Sequence, residues 1–428
     1  MVVILALIPR GALLYLRLGV AHTDLRWLGG SDVPGWLGMV DHFTHHLDFS
    51  YWLLGARPPL YPLVIALVVR LGGNLFYAAI LQIALGSLTA ALAFLLARRL
   101  FMHILWLPDP ARWALIAGII VALDPASVSA DATLLADPLF NLLMVTFLFF
   151  LARFVWNEHW IDLTLAALAM ALAMLTRPTA IYLWLVAPLI LIPLVRRWWY
   201  PALILVAVGL AVYLGWSARN LAYQGVFTYS TQTNFSLLFL RALSAEHLAT
   251  GANPADLEVQ YVQQLYRTIG DEESAALAVP EHFWRFLVAD EPRLYAEMGH
   301  LARQKLAQYW PYALLGTGVG AWRMFGLTRA LPPWFTPAEL IYHAALYGFV
   351  AWGTWQAFRR RDWALLLFTV VPICYVTGLT LLAQTSALDT RMRTAITAPL
   401  SILATCGMGQ VLRSRAKKQA QTPASRDR

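Results

Sequence analysis

Long apolar runs separated by short polar segments constrain this chain more than any other feature of its sequence. A helix that crosses a bilayer needs roughly 20 predominantly apolar residues. By that rule the candidate spans lie near 1–20, 75–97, 112–130, 138–156, 161–176, 179–195, 198–216, 338–358, 363–385 and 394–412. The pattern therefore predicts an all-α integral membrane protein with about ten transmembrane helices.

Composition excludes the soluble classes of protein. Hydrophobic residues make up 59% of the chain and charged residues 13%, against about 25% charged residues in a soluble domain. Both cysteines lie in apolar runs, so a disulfide framework is not indicated. The first run has no basic stretch before it and no small-residue cleavage site after it, so we expect a retained first span.

Basic residues predict the orientation of the spans, because cytoplasmic loops are enriched in Lys and Arg. Arg98, Arg99, Arg196, Arg197 and the runs at 359–361 and 413–418 all fall on one side of the predicted bundle. We therefore expect both termini in the cytoplasm. The segments 21–74 and 217–337 and the short loops 131–137, 177–178 and 386–393 are expected on the outer side.

This topology predicts four regions: an N-terminal transmembrane module at 1–216 with its first outer loop at 21–74, an extracytoplasmic subdomain at 217–337, C-terminal transmembrane helices at 338–412 and a disordered cytoplasmic tail at 413–428. Amphipathic stretches such as "DLEVQYVQQLYRTI" predict loop helices in the outer subdomain. The shorter apolar runs at 60–73 and 307–320 are expected at the membrane interface. The net charge of +8 is scattered over short loops, which favours contact with membrane lipids and no nucleic-acid partner.

Five arginines stand out because they lie on the predicted outer side, where basic residues are normally scarce. They are Arg57, Arg177, Arg219, Arg391 and Arg393. Each could snorkel or pair within a loop. An arginine fork also suits bidentate binding of a phosphate. Phosphate held at the rim of a membrane protein indicates a lipid-linked phosphate.

Acidic residues collect on the same predicted side. Asp32 lies in "GGSDVPGW", and Asp137 precedes a proline in "LLADPLFN". Turn formation or helix capping would explain either residue alone. Two carboxylates together with outer arginines also meet the needs of a reaction in which an acid accepts a proton and arginines hold a departing phosphate.

The histidines of "DHFTHH" leave a metal site open. His42, His45 and His46 have a spacing that can place ligands on one helix face. A helix at the membrane surface carries such histidines without a metal, and no fourth ligand can be identified. We predict no metal site, although a divalent metal is possible.

A series of motifs in order along the chain resembles the polyprenyl-phosphate-sugar-dependent glycosyltransferases with the GT-C fold, which include the protein O-mannosyltransferases and the lipid A aminoarabinose transferases. In chain order they are "SDVPGW", "ARPPLYPLVIAL", "FYAAILQIALGSLTAALAFLLARRLF", "LLADPLFNLLMV", "ALAMLTRPTA", "WSARNLAYQGVF", "DEPRLYAEMGHLARQKLAQYW" and "DTRMRTAITAP". The resemblance covers nearly the whole chain and implies a GT-C membrane fold with outer loop helices.

The resemblance also implies roles for individual residues. Asp32 matches the acid of the first outer loop, the expected base, although Val33 stands where the family often has a second acid. Asp137 matches the second family acid, and Arg57 matches a residue that contacts the lipid phosphate.

Further basic positions of the family match Arg219, Arg391 and Arg393, with less defined roles. Some relatives have a metal-binding acid where this chain has Ala56.

Together these features predict an inverting glycosyltransferase of the cell inner membrane with its active site on the periplasmic face. The donor would be a sugar on a polyprenyl phosphate, and the acceptor would be a protein, lipid or polysaccharide. No cofactor is needed because the donor arrives activated, and no nucleotide-binding loop is present in the sequence. The alternative is a transporter or flippase for lipid-linked or anionic substrates, and a non-catalytic subunit with the same fold is a third.

Overall fold

The computed structural model describes residues 1–20, 33–104, 106–197, 199–279, 286–287, 292–328, 333–384 and 389–421. In this part of the chain the regular structure is helical, without a β-strand. The α-helices of the first half are α1 Val2–Val20, α2 Val33–His45, α3 Leu60–Arg70, α4 Leu75–Phe101, α5 Pro110–Leu123, α6 Pro125–Asp131, α7 Asp137–Asn157, α8 Trp160–Met174, α9 Leu183–Leu191 and α10 Trp199–Gln224.

Shorter helices dominate the middle of the chain and longer ones return at its end. The α-helices of the second half are α11 Gln232–Phe235, α12 Leu243–Thr250, α13 Pro254–Thr268, α14 Glu272–Ala276, α15 Pro292–Gln308, α16 Trp310–Phe325, α17 Thr336–Arg359, α18 Trp363–Ala383 and α19 Thr397–Gln421. Four 3₁₀ segments and one π-helical segment complete the list: Trp52–Gly55, Pro178–Ala180, Pro333–Phe335, Thr390–Ile396 and, π-helical, Ser236–Ala242.

Apolar helices confirm that this is an integral membrane protein. Among the described residues, five helices are long and apolar enough to cross a membrane, and α5 with α6 makes a sixth if the bent pair is one span. Each segment expected to be a span contains a helix, but α8 and α9 are shorter than a full crossing. The number of crossings therefore stays a prediction.

The expected straight span at 112–130 is broken into two helices. The axes of α5 and α6 differ by 53°. The break lies at Asp124, whose backbone is extended and whose side chain caps α6 by accepting a hydrogen bond from Ser127 N at 2.9 Å. Pro125 then occupies the first turn of α6, where its missing N–H is not needed. The helical conformation is disfavoured for a residue that precedes a proline, which explains why the helix breaks at Asp124.

Close packing of two groups of helices forms the core. In the first group α4 packs against α1, α5 and α7, and in the second α17 packs against α19. Gly353 on α17 and Gly407 on α19 lie at the second contact, where a Cβ on either would overlap backbone of the facing helix. Small residues let membrane helices approach this closely.

The middle of the chain contains amphipathic helices, as its sequence pattern indicates. One face of α13 buries Leu257, Tyr261 and Leu265. Buried Glu246 on α12 accepts a hydrogen bond from the Tyr261 hydroxyl at 2.5 Å and pairs with Lys305 of α15 at 2.8 Å. These contacts tie α12, α13 and α15 together.

The tail at 413–428 was expected to be disordered, but α19 continues through Gln421. Residues such as Arg, Ala, Lys and Gln after 413 favour a helix, so α19 can extend beyond its apolar part.

Candidate active site

A cavity of about 280 Å³ gathers residues from every segment that was expected on the outer side. Its charged lining residues are Arg57, Asp137, Arg177, Asp389 and Arg391. They come from distant parts of the chain and from the ends of helices rather than their middles. The cavity is therefore a polar site at one end of the helical bundle.

Arg57 is positioned by a tightly held loop. Its guanidinium lies 4.8 Å from the centre of the Trp36 ring, on which it stacks. The backbone before it is fixed because Ser230 Oγ donates to Ala56 O at 2.7 Å and Thr231 N donates to Gly55 O at 2.9 Å.

Gly55 leaves room in the same loop for a side chain of α10. The Gln224 side chain donates from Nε2 to Trp52 O at 2.6 Å and fills the space beside Gly55. A Cβ on Gly55 would overlap the Gln224 amide.

Asp137 and Arg177 form an ion pair in the cavity wall. Arg177 NH1 donates to Asp137 Oδ1. Asp137 is the first residue of α7, where it does not act as the cap, and its side chain is almost completely buried. Arg177 lies just before Pro178 and keeps 18% of its side chain exposed. The NH2 group of Arg177 lies 3.6 Å from Met392 Sδ.

Asp389 and Arg391 come from the 3₁₀ segment before α19. Asp389 caps this segment by accepting a hydrogen bond from Arg391 N at 2.9 Å, and Arg391 Nε lies 3.8 Å from its Oδ1. Partial burial raises the pKa of the Asp389 carboxyl, Arg391 lowers it, and the negative charge of Asp137 adds to the increase.

A second cavity of about 250 Å³ adjoins the first. The two share Arg177, Pro178, Gln232, Gln384 and Met392. The rest of the second cavity carries hydroxyl groups and aliphatic side chains, among them Thr179, Tyr182, Ser236, Leu379 and Leu382. Arg177 thus lies where a charged cavity meets an uncharged one.

Of the residues predicted for the site, the structure brings Arg57, Asp137 and Arg391 into one cavity. Asp32, the predicted base, lies outside the described residues. Arg219 is not among the residues that line the cavity. It donates to Phe49 O at 2.8 Å from Nε and to Tyr51 O at 3.0 Å from NH2, so it holds the backbone of the first outer loop.

Arg393 also lies away from the cavity, in a buried polar cluster. Its NH1 donates to Asp124 Oδ1 at 2.9 Å and its NH2 donates to His343 Nε2 at 2.8 Å. The Tyr342 hydroxyl donates to the same Asp124 oxygen at 3.0 Å. Asp124 and Arg393 are both fully buried. In this structure Arg393 is thus held in an internal ion pair and does not line the cavity.

Sequence reasoning missed two residues of the cavity. Arg177 was among the five outer arginines but matched no assigned position of the resembled family. Asp389 is the first residue of the motif "DTRMRTAITAP", in which only the arginines were predicted as site residues. The signal that points to Asp389 is its position just before the arginines, where an aspartate often caps a helical segment.

The histidines of the first outer segment do not form a metal site with neighbours that the structure describes. His42 Nε2 lies 3.2 Å from Asp48 Oδ1, and His45 Nε2 lies 3.5 Å from Asp41 Oδ1. Within the described ranges, no group of three or more His, Cys, Asp or Glu residues could hold a metal ion.

Comparison with known proteins supports the family resemblance. The family model of dolichyl-phosphate-mannose-protein mannosyltransferase matches residues 56–217, less than half of the chain. This range contains Arg57, Asp137 and Arg177. No curated protein matches the chain in sequence.

Solved structures define the fold. The archaeal oligosaccharyltransferase AglB from Archaeoglobus fulgidus, in complex with an inhibitory peptide and a dolichol-phosphate, is 15% identical with a TM-score of 0.52, covering 100% of this chain and 52% of that one. The same enzyme with Zn and sulfate is 13% identical with a TM-score of 0.52, covering 98% and 50%. ArnT from Cupriavidus metallidurans bound to undecaprenyl phosphate is 17% identical with a TM-score of 0.38, covering 97% and 80%.

The chain thus spans about half the length of the oligosaccharyltransferase structures that it matches. The likeness to them confirms the predicted fold class: the protein is an all-helical membrane protein with the GT-C fold.

Proposed function

We propose that the protein is a membrane glycosyltransferase that takes a sugar from a polyprenyl-phosphate carrier and passes it to an acceptor. The observation that carries this proposal is the cavity in which Arg57, Arg177 and Arg391 meet two carboxylates at the ends of apolar helices. Guanidinium groups bind phosphate through charged, often bidentate hydrogen bonds. A carrier whose hydrocarbon chain stays in the bilayer would bring its phosphate to this depth.

The chemistry that we propose is a single displacement that inverts the anomeric carbon. Asp32 accepts the proton of the acceptor, the acceptor attacks the anomeric carbon, and the bond from that carbon to the phosphate oxygen breaks. Arg57, Arg177 and Arg391 stabilise the negative charge on the leaving phosphate. Because the donor arrives activated, this displacement uses no chemical cofactor.

Arg219 and Arg393 serve this site through the backbone segments that they hold. Arg219 fixes the first outer loop, and Arg393 fixes the 3₁₀ segment that carries Arg391. We place the reaction on the periplasmic face of the inner membrane, because the basic clusters of the sequence lie at the other end of the bundle.

Purified protein incubated with a panel of polyprenyl-phosphate sugars tests the proposal directly. Consumption of one donor in the presence of a cell-envelope acceptor fraction is the expected result, with release of polyprenyl phosphate. Binding of a carrier without consumption of any donor would favour the transporter alternative.

The Asp32→Asn variant tests the proposed base on the donor found in this way. Asparagine caps and turns about as well as aspartate but cannot accept the proton. Turnover should fall by roughly 10²–10⁴-fold while donor binding persists. Turnover close to that of the wild type would return Asp32 to a structural role.

A further inference from the structure

The ion pair between Asp137 and Arg177 occupies the point at which the charged and uncharged cavities join. Asp137 is held at the start of α7, and Arg177 is held in the turn between α8 and the 3₁₀ segment Pro178–Ala180. The carboxylate is almost inaccessible, while the guanidinium is partly exposed to both cavities. The arginine is thus the accessible member of the pair.

The two nitrogens at the end of the Arg177 side chain have unequal partners. NH1 donates to the Asp137 carboxylate, whereas NH2 lies 3.6 Å from the Met392 sulfur. A thioether is a weak acceptor. A phosphate oxygen is a much stronger one, and its charge would compete with Asp137 for the same guanidinium.

We propose that this ion pair is exchanged when the carrier binds: the carrier phosphate takes the donors of Arg177, and Asp137 is released to accept a hydrogen bond from a hydroxyl or amino group of the acceptor. The inference rests on the proposed function, which supplies the phosphate. A buried carboxylate that loses its arginine is costly until another donor replaces it. Phosphate binding therefore raises the affinity for the acceptor, and by the same linkage the acceptor raises the affinity for the phosphate.

The exchange predicts that removing the Asp137 carboxylate strengthens the binding of phosphate. Asp137→Asn removes the competitor for Arg177 and so should bind undecaprenyl phosphate about tenfold more tightly than the wild type, because one charged hydrogen bond no longer has to be broken. Turnover of the same variant should be lost. Arg177→Met should weaken binding by about tenfold or more.

A double-mutant cycle separates exchange from general electrostatics. Affinity for undecaprenyl phosphate is measured on full-length protein in detergent, with undecaprenol as the ligand that lacks phosphate. In the Arg177→Met background, Asp137→Asn should change the affinity by less than about twofold. Asp389→Asn is the matched control, since it removes another cavity carboxylate while retaining a cap. Because Asp389 lies beside Arg391, its removal should also tighten binding somewhat, but that change should persist in the Arg177→Met background.

Three results would overturn the exchange: Asp137→Asn leaves affinity unchanged, Asp137→Asn weakens it, or the tightening persists in the Arg177→Met background. Asp137→Ser provides the same test if the asparagine variant does not fold, because serine also suits a helix start. A wild-type protein that binds undecaprenyl phosphate no better than undecaprenol would instead overturn the proposed function.

Discussion

Two arginines only two positions apart show how differently one residue type can act in this fold. The 3₁₀ segment Thr390–Ile396 directs Arg391 into the cavity and Arg393 into the protein interior. Arg393 compensates the buried charge of Asp124, whereas Arg391 lies where a ligand can reach it. Position along the motif therefore decides whether an arginine lines the cavity or lies in the interior.

Alanine at these two positions should give opposite phenotypes. Arg393→Ala leaves Asp124 as an unpaired buried charge, which destabilises a protein by about 3–5 kcal/mol. When thermal unfolding is measured in detergent, we expect the Arg393→Ala variant to show a large loss of folded protein. Arg391→Ala should unfold close to the wild-type temperature but bind undecaprenyl phosphate more weakly. A stable Arg393→Ala protein with impaired phosphate binding would instead place Arg393 in the phosphate site.

The stacked Arg57 should depend on the shape of its side chain as well as on its charge. Arg57→Ala should weaken binding of the donor, since hydrogen bonds to charged groups contribute roughly 1.5–3 kcal/mol each. Arg57→Lys should restore only part of the affinity, because lysine lacks the planar fork that lies over Trp36. Unchanged affinity of the alanine variant, measured by ligand titration, would mean that Arg57 only snorkels.

At the scale of elements, the cavity is built by short irregular segments that apolar periodicity does not reveal. Sequence analysis found the helices, because hydrophobic runs of span length leave few alternatives. It also found Arg57, Asp137 and Arg391, because charges at the ends of spans are conspicuous. The burial of the Arg393 side chain depends on the geometry of the 3₁₀ segment and on its contact with Asp124. The ion pair of Arg177 likewise joins residues far apart in sequence. No local sequence pattern encodes such contacts.

The loop at Trp52–Gly55 gives an element-scale test. Gly55→Ala should push the Gln224 amide out of its place and shift the backbone that carries Arg57. We expect weaker binding of undecaprenyl phosphate together with a lower unfolding temperature. Adding Gln224→Ala makes room for the new methyl group and should restore part of the affinity. If the single variant binds like the wild type, the loop tolerates the extra atom and does not position Arg57.

At the scale of the whole molecule, α7 has an ion pair near each of its ends. Asp137, in the cavity, begins α7, and Arg153 lies roughly 24 Å further along that helix at 1.5 Å per residue. Arg153 pairs there with Asp162 at 3.0 Å, and Trp106 Nε1 donates to Asp362 at 3.3 Å in the loop before α18. The basic clusters belong to this second end. The sequence rule for orientation assigns this second end to the cytoplasm, and that assignment stays a prediction.

Reporter fusions test which side is which. A fusion after Gly251, the exposed end of α12, should carry a periplasmic reporter such as alkaline phosphatase in its active form. The same reporter at the C-terminus, beyond α19, should be inactive. A fluorescent protein that matures only in the cytoplasm should be dark at Gly251 and bright at the C-terminus. A fusion at Arg361, in the basic loop between α17 and α18, is the internal control and should match the C-terminus. Equal signals at Gly251 and the C-terminus would contradict the predicted number of crossings between these two positions. If both positions reported the cytoplasm, the cavity would face that side and the acceptor would have to be a cytoplasmic molecule.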